Sequence, residues 1–243
     1  MRFLLILRWM RRGGCGGSNS MQRIGELIEA VRRRYPSDQF FHEFEEHVRC
    51  LPLKERDYKT YEDALGTLDD ESWRILRGKA VEQFQNHRNG NWKQGFFNQL
   101  NEAFAYRYLK SMGCLDVKFL HEDGAICPDI SYMDALDQAF CEVKTINISD
   151  DEIGRRAEKT FSNGGSLDEK CINKLSNTID TAVQQMSKRG SVGLVYILMH
   201  CDDFWLEHID RYEEQIRECL EAHSARQIFV QIGISGLRTI SKS

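Results

Sequence analysis

The apolar residues of this chain follow a helical period through about residue 112. They recur every three or four positions, which places them on one face of a helix. The pattern predicts helices over residues 21–34, from about 40 to near Pro52, over 57–88 and over 92–112. Proline and glycine residues mark most of the predicted ends. The first part of the chain is therefore predicted to be helical.

After Gly113 the period changes from helical to extended. Short apolar runs predict three strands, over residues 117–121, 129–133 and 139–146. The polar, glycine-containing residues 147–167 are predicted to form a loop. The rest of the chain predicts a helix over 167–189, a buried strand over 191–199, a helix over 204–222 and a last strand over 227–232. This order predicts an α/β fold with a mixed central sheet flanked by helices on both faces.

These elements divide the chain into three predicted segments. Residues 1–20 are predicted to be a disordered tail, or to follow an upstream start that is not used. Their apolar run is shorter than the roughly 20 residues that a membrane span needs, and no small-residue cleavage site follows it. Residues 21–91 are predicted to form an N-terminal helical subdomain, and residues 92–243 the α/β core.

Composition and charge narrow the classes of partner. The chain has 33 basic and 37 acidic residues and a net charge of −4, so nucleic acid would have to be bound by local basic patches. None of the eight cysteines forms a CxxC pair, which favours reduced, buried cysteines over a zinc or iron–sulfur site. Without a convincing export signal, the expected compartment is the cytoplasm, and no membrane partner is expected.

Candidate chemistry is concentrated between residues 102 and 144. If the strands that hold Asp129 and Glu142 pair antiparallel, both carboxylates can reach one point, near the carbonyl of Val143. Lys144 projects from the same face as Glu142, because alternate residues of a strand share a face. Glu102 lies on the preceding helix and could bind a second metal ion or a metal-bound water. Oxygen ligands of this kind suit Mg²⁺, which promotes phosphodiester hydrolysis.

Glu102, Pro128–Asp129 and Glu142–Lys144 together resemble the motif of the PD-(D/E)XK, or restriction endonuclease-like, nuclease superfamily. The resemblance covers roughly residues 92–232, and the N-terminal helices fall outside it. It implies a mixed sheet flanked by helices, matching the predicted element order. It also implies that Asp129 and Glu142 are metal ligands, that Lys144 is the catalytic lysine and that Glu102 is an auxiliary acid. The implied cofactor is Mg²⁺, with Mn²⁺ as a possible substitute.

Positive charges after Lys144 are candidates for contacts with backbone phosphate. These residues are Arg155, Arg156, Lys159, Lys170 and Lys174. A charge run is also typical of a solvated surface, so both interpretations stay open for each residue. Some branches of the superfamily carry a glutamine on the helix after the motif, and Gln184 or Gln185 could fill that role. The tyrosine that follows it in one such branch is missing, so the subfamily stays unassigned.

The expected function is a Mg²⁺-dependent endonuclease of restriction, repair or defence, and its expected substrate is DNA rather than RNA. The resemblance implies that the product carries a 5′-phosphate. One alternative is a catalytically inactive module with the nuclease fold, which binds nucleic acid or assembles with a partner. A second is an unrelated α/β protein in which Glu142 and Lys144 form a surface pair and Asp129 lies far from Glu142. The N-terminal helices could serve recognition or formation of a homodimer.

Overall fold

The computed structural model describes most of the chain after residue 20. The described ranges are 21–87, 92–120, 127–135, 137–160, 165–188, 193–200, 206–223, 225, 227–236 and 238–242. Within them the chain forms eight α-helices, two short 3-10 helices and six strands. The tail predicted for residues 1–20 lies outside the described residues.

Four helices come before the long helix that leads into the sheet. They are α1 (Gln22–Arg34), α2 (Phe44–Cys50), α3 (Pro52–Leu65) and α4 (Asp70–Glu82), and the 3-10 turn Gln83–Gln85 follows α4. The helical region predicted over 57–88 contains most of α3, all of α4 and the 3-10 turn, and the helix is interrupted between Leu65 and Asp70. Asp69 caps α4 by accepting a hydrogen bond from the Ser72 amide at 2.7 Å, and such a cap starts a new helix. Helix α2 ends at Cys50, near Pro52 as predicted, and Pro52 itself begins α3, since the first helical position needs no N–H.

Helix α5 (Gln94–Ser111) leads into the sheet, and its start is fixed by a buried lysine. Lys93 precedes α5 with a left-handed φ of 60°. Its side chain is 2% exposed and pairs with Asp38. The ammonium group also lies 3.9 Å from the centre of the Phe84 ring, a distance that suits a cation–π contact. These contacts hold the start of α5 against the preceding helices.

The six strands form one mixed sheet in chain order. They are β1 (Leu115–Phe119), β2 (Ile130–Asp134), β3 (Asp137–Ile146), β4 (Leu194–Met199), β5 (Gln227–Ile232) and β6 (Arg238–Lys242). The pairs β1–β2, β2–β3 and β5–β6 are antiparallel, whereas β3–β4 and β4–β5 are parallel. The prediction of a mixed central sheet is therefore confirmed.

Helices cover both faces of the sheet, again as predicted. Alternate residues of β4 separate the two hydrophobic cores. Tyr196 and Leu198 join the core formed with α1 and α3–α5. Val195 and Ile197 join the core formed with α7 (Glu169–Ser187) and α8 (Ile209–Glu221). All six residues of β4 are buried, as expected for a central strand.

Two elements were not predicted. The loop expected over 147–167 contains helix α6 (Asp150–Glu158). Ser149 caps it, acids occupy its first turn and arginines its last, an order that stabilises a helix through its dipole without an apolar stripe. Strand β6 follows the strand expected to be the last; it is short, and Ile240 is its one buried residue. No helix in the described part of the chain is both long and apolar enough to cross a membrane.

Candidate functional site

The register of β2 and β3 brings Asp129 and Glu142 together. Ile130 pairs with Cys141 in this antiparallel ladder, so Asp129 and Glu142 are opposite one another immediately beyond that pair. One oxygen of Asp129, Oδ2, accepts a hydrogen bond of 2.8 Å from the backbone amide of Val143. This bond fixes Asp129 against β3. The alternative in which these acids lie far apart is therefore wrong.

Glu142 and Lys144 share one face of β3. The ammonium group of Lys144 donates a 2.6 Å hydrogen bond to Oε1 of Glu142. The Glu142 side chain is 3% exposed and that of Lys144 is 26% exposed. The pair is therefore not the solvated surface pair of the second alternative, because its carboxylate is buried.

A second carboxylate–lysine pair adjoins the first. Glu102 projects from α5 and is 5% exposed, and Lys79 from α4 reaches it. The Lys79 ammonium lies 3.0 and 3.2 Å from the two oxygens of Glu102 and 3.9 Å from Oδ1 of Asp129. The structure thus brings Glu102 to Asp129 through a lysine that the sequence did not single out.

The surroundings of Glu142 disfavour its charged form. The pKa of Glu142 is raised to about 7, chiefly by burial and also by the nearby Asp129, while Lys144 and Lys79 act in the opposite direction. Oε2 of Glu142 is buried and has no hydrogen-bond partner among the described residues. A buried carboxylate oxygen is costly without a partner. This oxygen is therefore available to a cation.

The donor set fits a hard divalent ion at Asp129 and Glu142. Among the described residues, no group of three or more His, Cys, Asp or Glu side chains is arranged to hold a metal ion. Mg²⁺, however, usually binds through one or two carboxylates and takes its other ligands from waters and phosphate. The buried Oε2 of Glu142, which has no hydrogen-bond partner among the described residues, suits such a site. Metal-binding roles for all four predicted ligands stay predictions. Glu102 contacts Lys79, and Val143 contacts Asp129 through its amide.

A polar groove of about 670 Å³ runs between Lys144 and helix α7. Lys170 and Lys174 line it, together with Asn173, Asn177, Thr178 and Thr181. Lys174 also donates a 2.9 Å hydrogen bond to the carbonyl of Asn147, just after β3. The structure therefore brings two of the predicted phosphate-binding residues next to Lys144.

The other predicted phosphate-binding residues lie on or beside α6. Arg155 and Arg156 contact the carboxylate of Glu152, at 2.9 and 2.6 Å. The Glu152 side chain is only 4% exposed, so it offsets part of their positive charge. Lys159 is exposed at the end of α6. These residues lie outside the groove of Lys144.

The two glutamines lie on α7 beyond the groove. Gln184 is exposed and Gln185 is partly buried. Oε1 of Gln185 is buried without a hydrogen-bond partner among the described residues. The groove ends at Thr181, one helical turn earlier. A role for Gln184 or Gln185 in substrate contact stays a prediction.

Two functional features were missed at the sequence level. Lys79 is 23 residues before Glu102 on a separate helix, and no local spacing relates them. The second is a chain of hydrogen bonds: Tyr61 donates to Asn101 at 2.9 Å, and Asn101 donates to Thr145 at 2.9 Å. It joins α3, α5 and β3 beside Lys144. An asparagine within the apolar face of α5, next to Glu102, was the available signal.

Comparisons of the chain with protein-family models, with curated proteins and with solved structures found no match. The function is therefore inferred from the arrangement of its own side chains. The strongest part of that arrangement is the set formed by Asp129, Glu142 and Lys144.

Proposed function

We propose that the protein is a divalent-metal-dependent nuclease that hydrolyses phosphodiester bonds in DNA. The observation that carries this proposal is the buried Oε2 of Glu142, which has no hydrogen-bond partner in the part of the chain that the structure describes, while Asp129 and Lys144 adjoin the same carboxylate. Two carboxylates and a lysine in this order resemble the PD-(D/E)XK motif. The sheet supports the resemblance, since a β1–β2–β3 meander is followed by the parallel strand β4.

Each residue has a defined part in this proposal. Asp129 and Glu142 would hold Mg²⁺ or Mn²⁺. When bound, such an ion makes a water more acidic and neutralises charge that develops on the phosphate. Lys144 lines the groove, where its side-chain nitrogen can donate to a phosphate oxygen or orient the attacking water. Glu102 holds Lys79 beside Asp129 and so adjusts the charge of the carboxylate set.

The proposed substrate-binding surface is the groove beside α7. Lys170 and Lys174 lie along it, and phosphate contacts need positive charge near the reacting group. DNA is the proposed substrate because of the resemblance. A homodimer is a further part of the proposal, with the helices α1–α4 as its proposed interface.

A second candidate is a nucleic-acid-binding module without catalytic activity. It is favoured by the position of Lys79, whose ammonium group already contacts Glu102 and approaches Asp129. A lysine in such a position can neutralise carboxylates in place of a metal ion. The lysine-lined groove would then bind nucleic acid without cutting it.

Plasmid cleavage distinguishes the two candidates. Purified full-length protein is incubated with supercoiled DNA in Mg²⁺, Mn²⁺ or chelator. If the protein is a nuclease, it should cleave the plasmid when metal is present. Asp129→Asn, Glu142→Gln and Lys144→Met should each reduce the cleavage rate by at least about 100-fold, which is typical of losing an electrostatic group in a catalytic site. Glu158→Gln, at an exposed position on α6, is the control and should cleave normally. Metal-independent binding without cleavage would select the inactive module.

A further inference from the structure

A cavity of about 520 Å³ lies at the carboxyl ends of the parallel strands. Asn147, His200 and Gly233, which follow β3, β4 and β5, line its floor. Its volume falls within the roughly 300–1,000 Å³ typical of small-molecule sites. Ligands of open α/β sheets usually bind at this edge. The cavity is distinct from the groove of Lys144, since the two share no lining residue.

One wall of the cavity is aromatic. Phe40, Tyr58, Tyr61 and Phe97 line it. The ring of Phe97 is 6.2 Å from that of Phe40 and 6.1 Å from that of Tyr61, measured between centroids. Aromatic walls of this kind stack against unstacked nucleobases, because every base has a π-face.

Amide side chains also line the cavity. The Asn147 amide nitrogen donates to Oδ1 of Asn98 at 3.3 Å. This bond leaves the Asn98 amide nitrogen as a donor and Oδ1 of Asn147 as an acceptor. His200 adds a neutral ring, because burial and the adjacent Arg156 lower its pKa. A donor and an acceptor beside an aromatic wall are the groups that read the edge of an extruded base.

The cavity and the groove of Lys144 meet at Asn147. The Asn147 side chain lines the cavity, and its carbonyl accepts the hydrogen bond from Lys174, which lines the groove. The cavity rim also carries Arg156, Lys54 and Asp57. A strand whose phosphates follow the groove to Asn147 therefore brings a base close to the cavity.

We propose that this cavity receives one unstacked nucleobase from the strand whose backbone lies at Lys144. The base stacks against the aromatic wall and hydrogen-bonds to Asn98 and Asn147. This inference rests on the proposed function for the nature of the substrate, but it concerns recognition and not cleavage. It implies that single-stranded or distorted sites are bound more tightly than a regular duplex, because the cost of unstacking is lower there.

Binding is measured in chelator, so that cleavage does not interfere. The probes are a single-stranded DNA oligonucleotide with one 2-aminopurine, the same oligonucleotide with an abasic site at that position, and the matching duplex. We expect 2-aminopurine fluorescence to be quenched on binding. The abasic strand should bind about tenfold more weakly, as expected for the loss of one stacked base, and the duplex more weakly than the intact single strand.

Two variants test the location. Ser235 is exposed and lines the cavity, so Ser235→Trp should fill it and remove both the quenching and the preference for an intact base. Asn98→Leu should weaken binding of the intact strand and leave binding of the abasic strand unchanged. Ser187→Trp, exposed at the end of α7, is the matched control and should bind as the unmodified protein does.

The outcomes separate the inference from the proposed nuclease. Equal binding of intact and abasic strands, binding unaffected by Ser235→Trp, or no binding of any strand would overturn the base site. Base-dependent binding by a protein that cuts no plasmid would support the base site and overturn the nuclease. Cleavage of plasmid, together with equal binding of the intact and the abasic strand, would support the nuclease and overturn the base site.

Discussion

The ammonium group of Lys79 lies 3.0 Å from Oε2 of Glu102, and this pair joins the N-terminal helices to the candidate site. Lys79 belongs to α4 and Glu102 to α5. The side chains are 16% and 5% exposed, so the pair is largely screened from water. Helix α4 therefore contributes to the candidate site as well as to the core.

Replacing Lys79 tests the strength of this connection. Lys79→Met should lower the free energy of unfolding by about 3 kcal/mol, because a buried carboxylate loses its charge partner. Urea denaturation followed by circular dichroism measures the change. Lys59→Met is the matched control: its pair with Glu55 is exposed on both sides, and such pairs contribute less than about 1 kcal/mol. Equal effects of the two substitutions would contradict this role for Lys79.

Asp38 should govern part of the acid stability of the fold. Burial alone would raise its pKa, but hydrogen bonds from Lys93, the Phe40 amide and Gln85 outweigh burial and lower the pKa below its ordinary value of 3.8. Because the folded pKa is the lower one, the stabilisation is complete above the ordinary pKa and is lost as the pH falls through the folded value.

Asp38→Asn is the corresponding variant. At neutral pH it should lower the free energy of unfolding by about 3 kcal/mol, since it leaves the buried Lys93 charge without its partner. The difference from the unmodified protein should stay constant from about pH 5 upward and shrink at lower pH. Urea titrations from acid to neutral pH measure it. Asp151→Asn, at an exposed residue, should show no such trend.

Asn101 should stabilise both the fold and the position of β3. It is 1% exposed and takes part in hydrogen bonds with Tyr61 and Thr145. Asn101→Ala should lower the free energy of unfolding by about 2–4 kcal/mol, because the buried Tyr61 hydroxyl and the partly buried Thr145 hydroxyl lose their partner. Asn177→Ala, exposed on α7, should change it by less than about 0.5 kcal/mol. A small effect at Asn101 would mean that Tyr61 and Thr145 find other partners.

Lys170 and Lys174 should contribute phosphate contacts. If each lysine neutralises one phosphate, Lys170→Ala or Lys174→Ala should make the plot of log affinity against log salt concentration shallower, by about 0.9 in slope on duplex DNA. Fluorescence anisotropy over a salt series measures the slope. Lys188→Ala, exposed at the other end of α7, should leave it unchanged. Identical slopes for all four proteins would place the DNA elsewhere.

The parts that sequence predicted well are those set by local order. Asp129 and Glu142 flank a short antiparallel connection, so strand pairing alone brings them together. Lys144 follows from the alternation of side chains along β3. These relationships need no knowledge of distant elements.

The parts that sequence missed depend on distant packing or on polar stabilisation. Lys79 reaches Asp129 only because α4 packs against α5. Helix α6 is held by Ser149 and by pairs between Glu152 and its arginines, which leave no apolar period to detect. Strand β6 has one buried residue and forms by pairing with the edge of β5.

The order of the sheet has a consequence for how the chain is assembled during synthesis. Each strand pairs with the strand made just before it, so a growing chain can add strands to an existing edge without inserting one between earlier partners. The β2–β3 hairpin, with Asp129 and Glu142, leaves the ribosome before the central strand β4. We expect the paired acids to meet early, and to be buried only when β4 and α7 arrive.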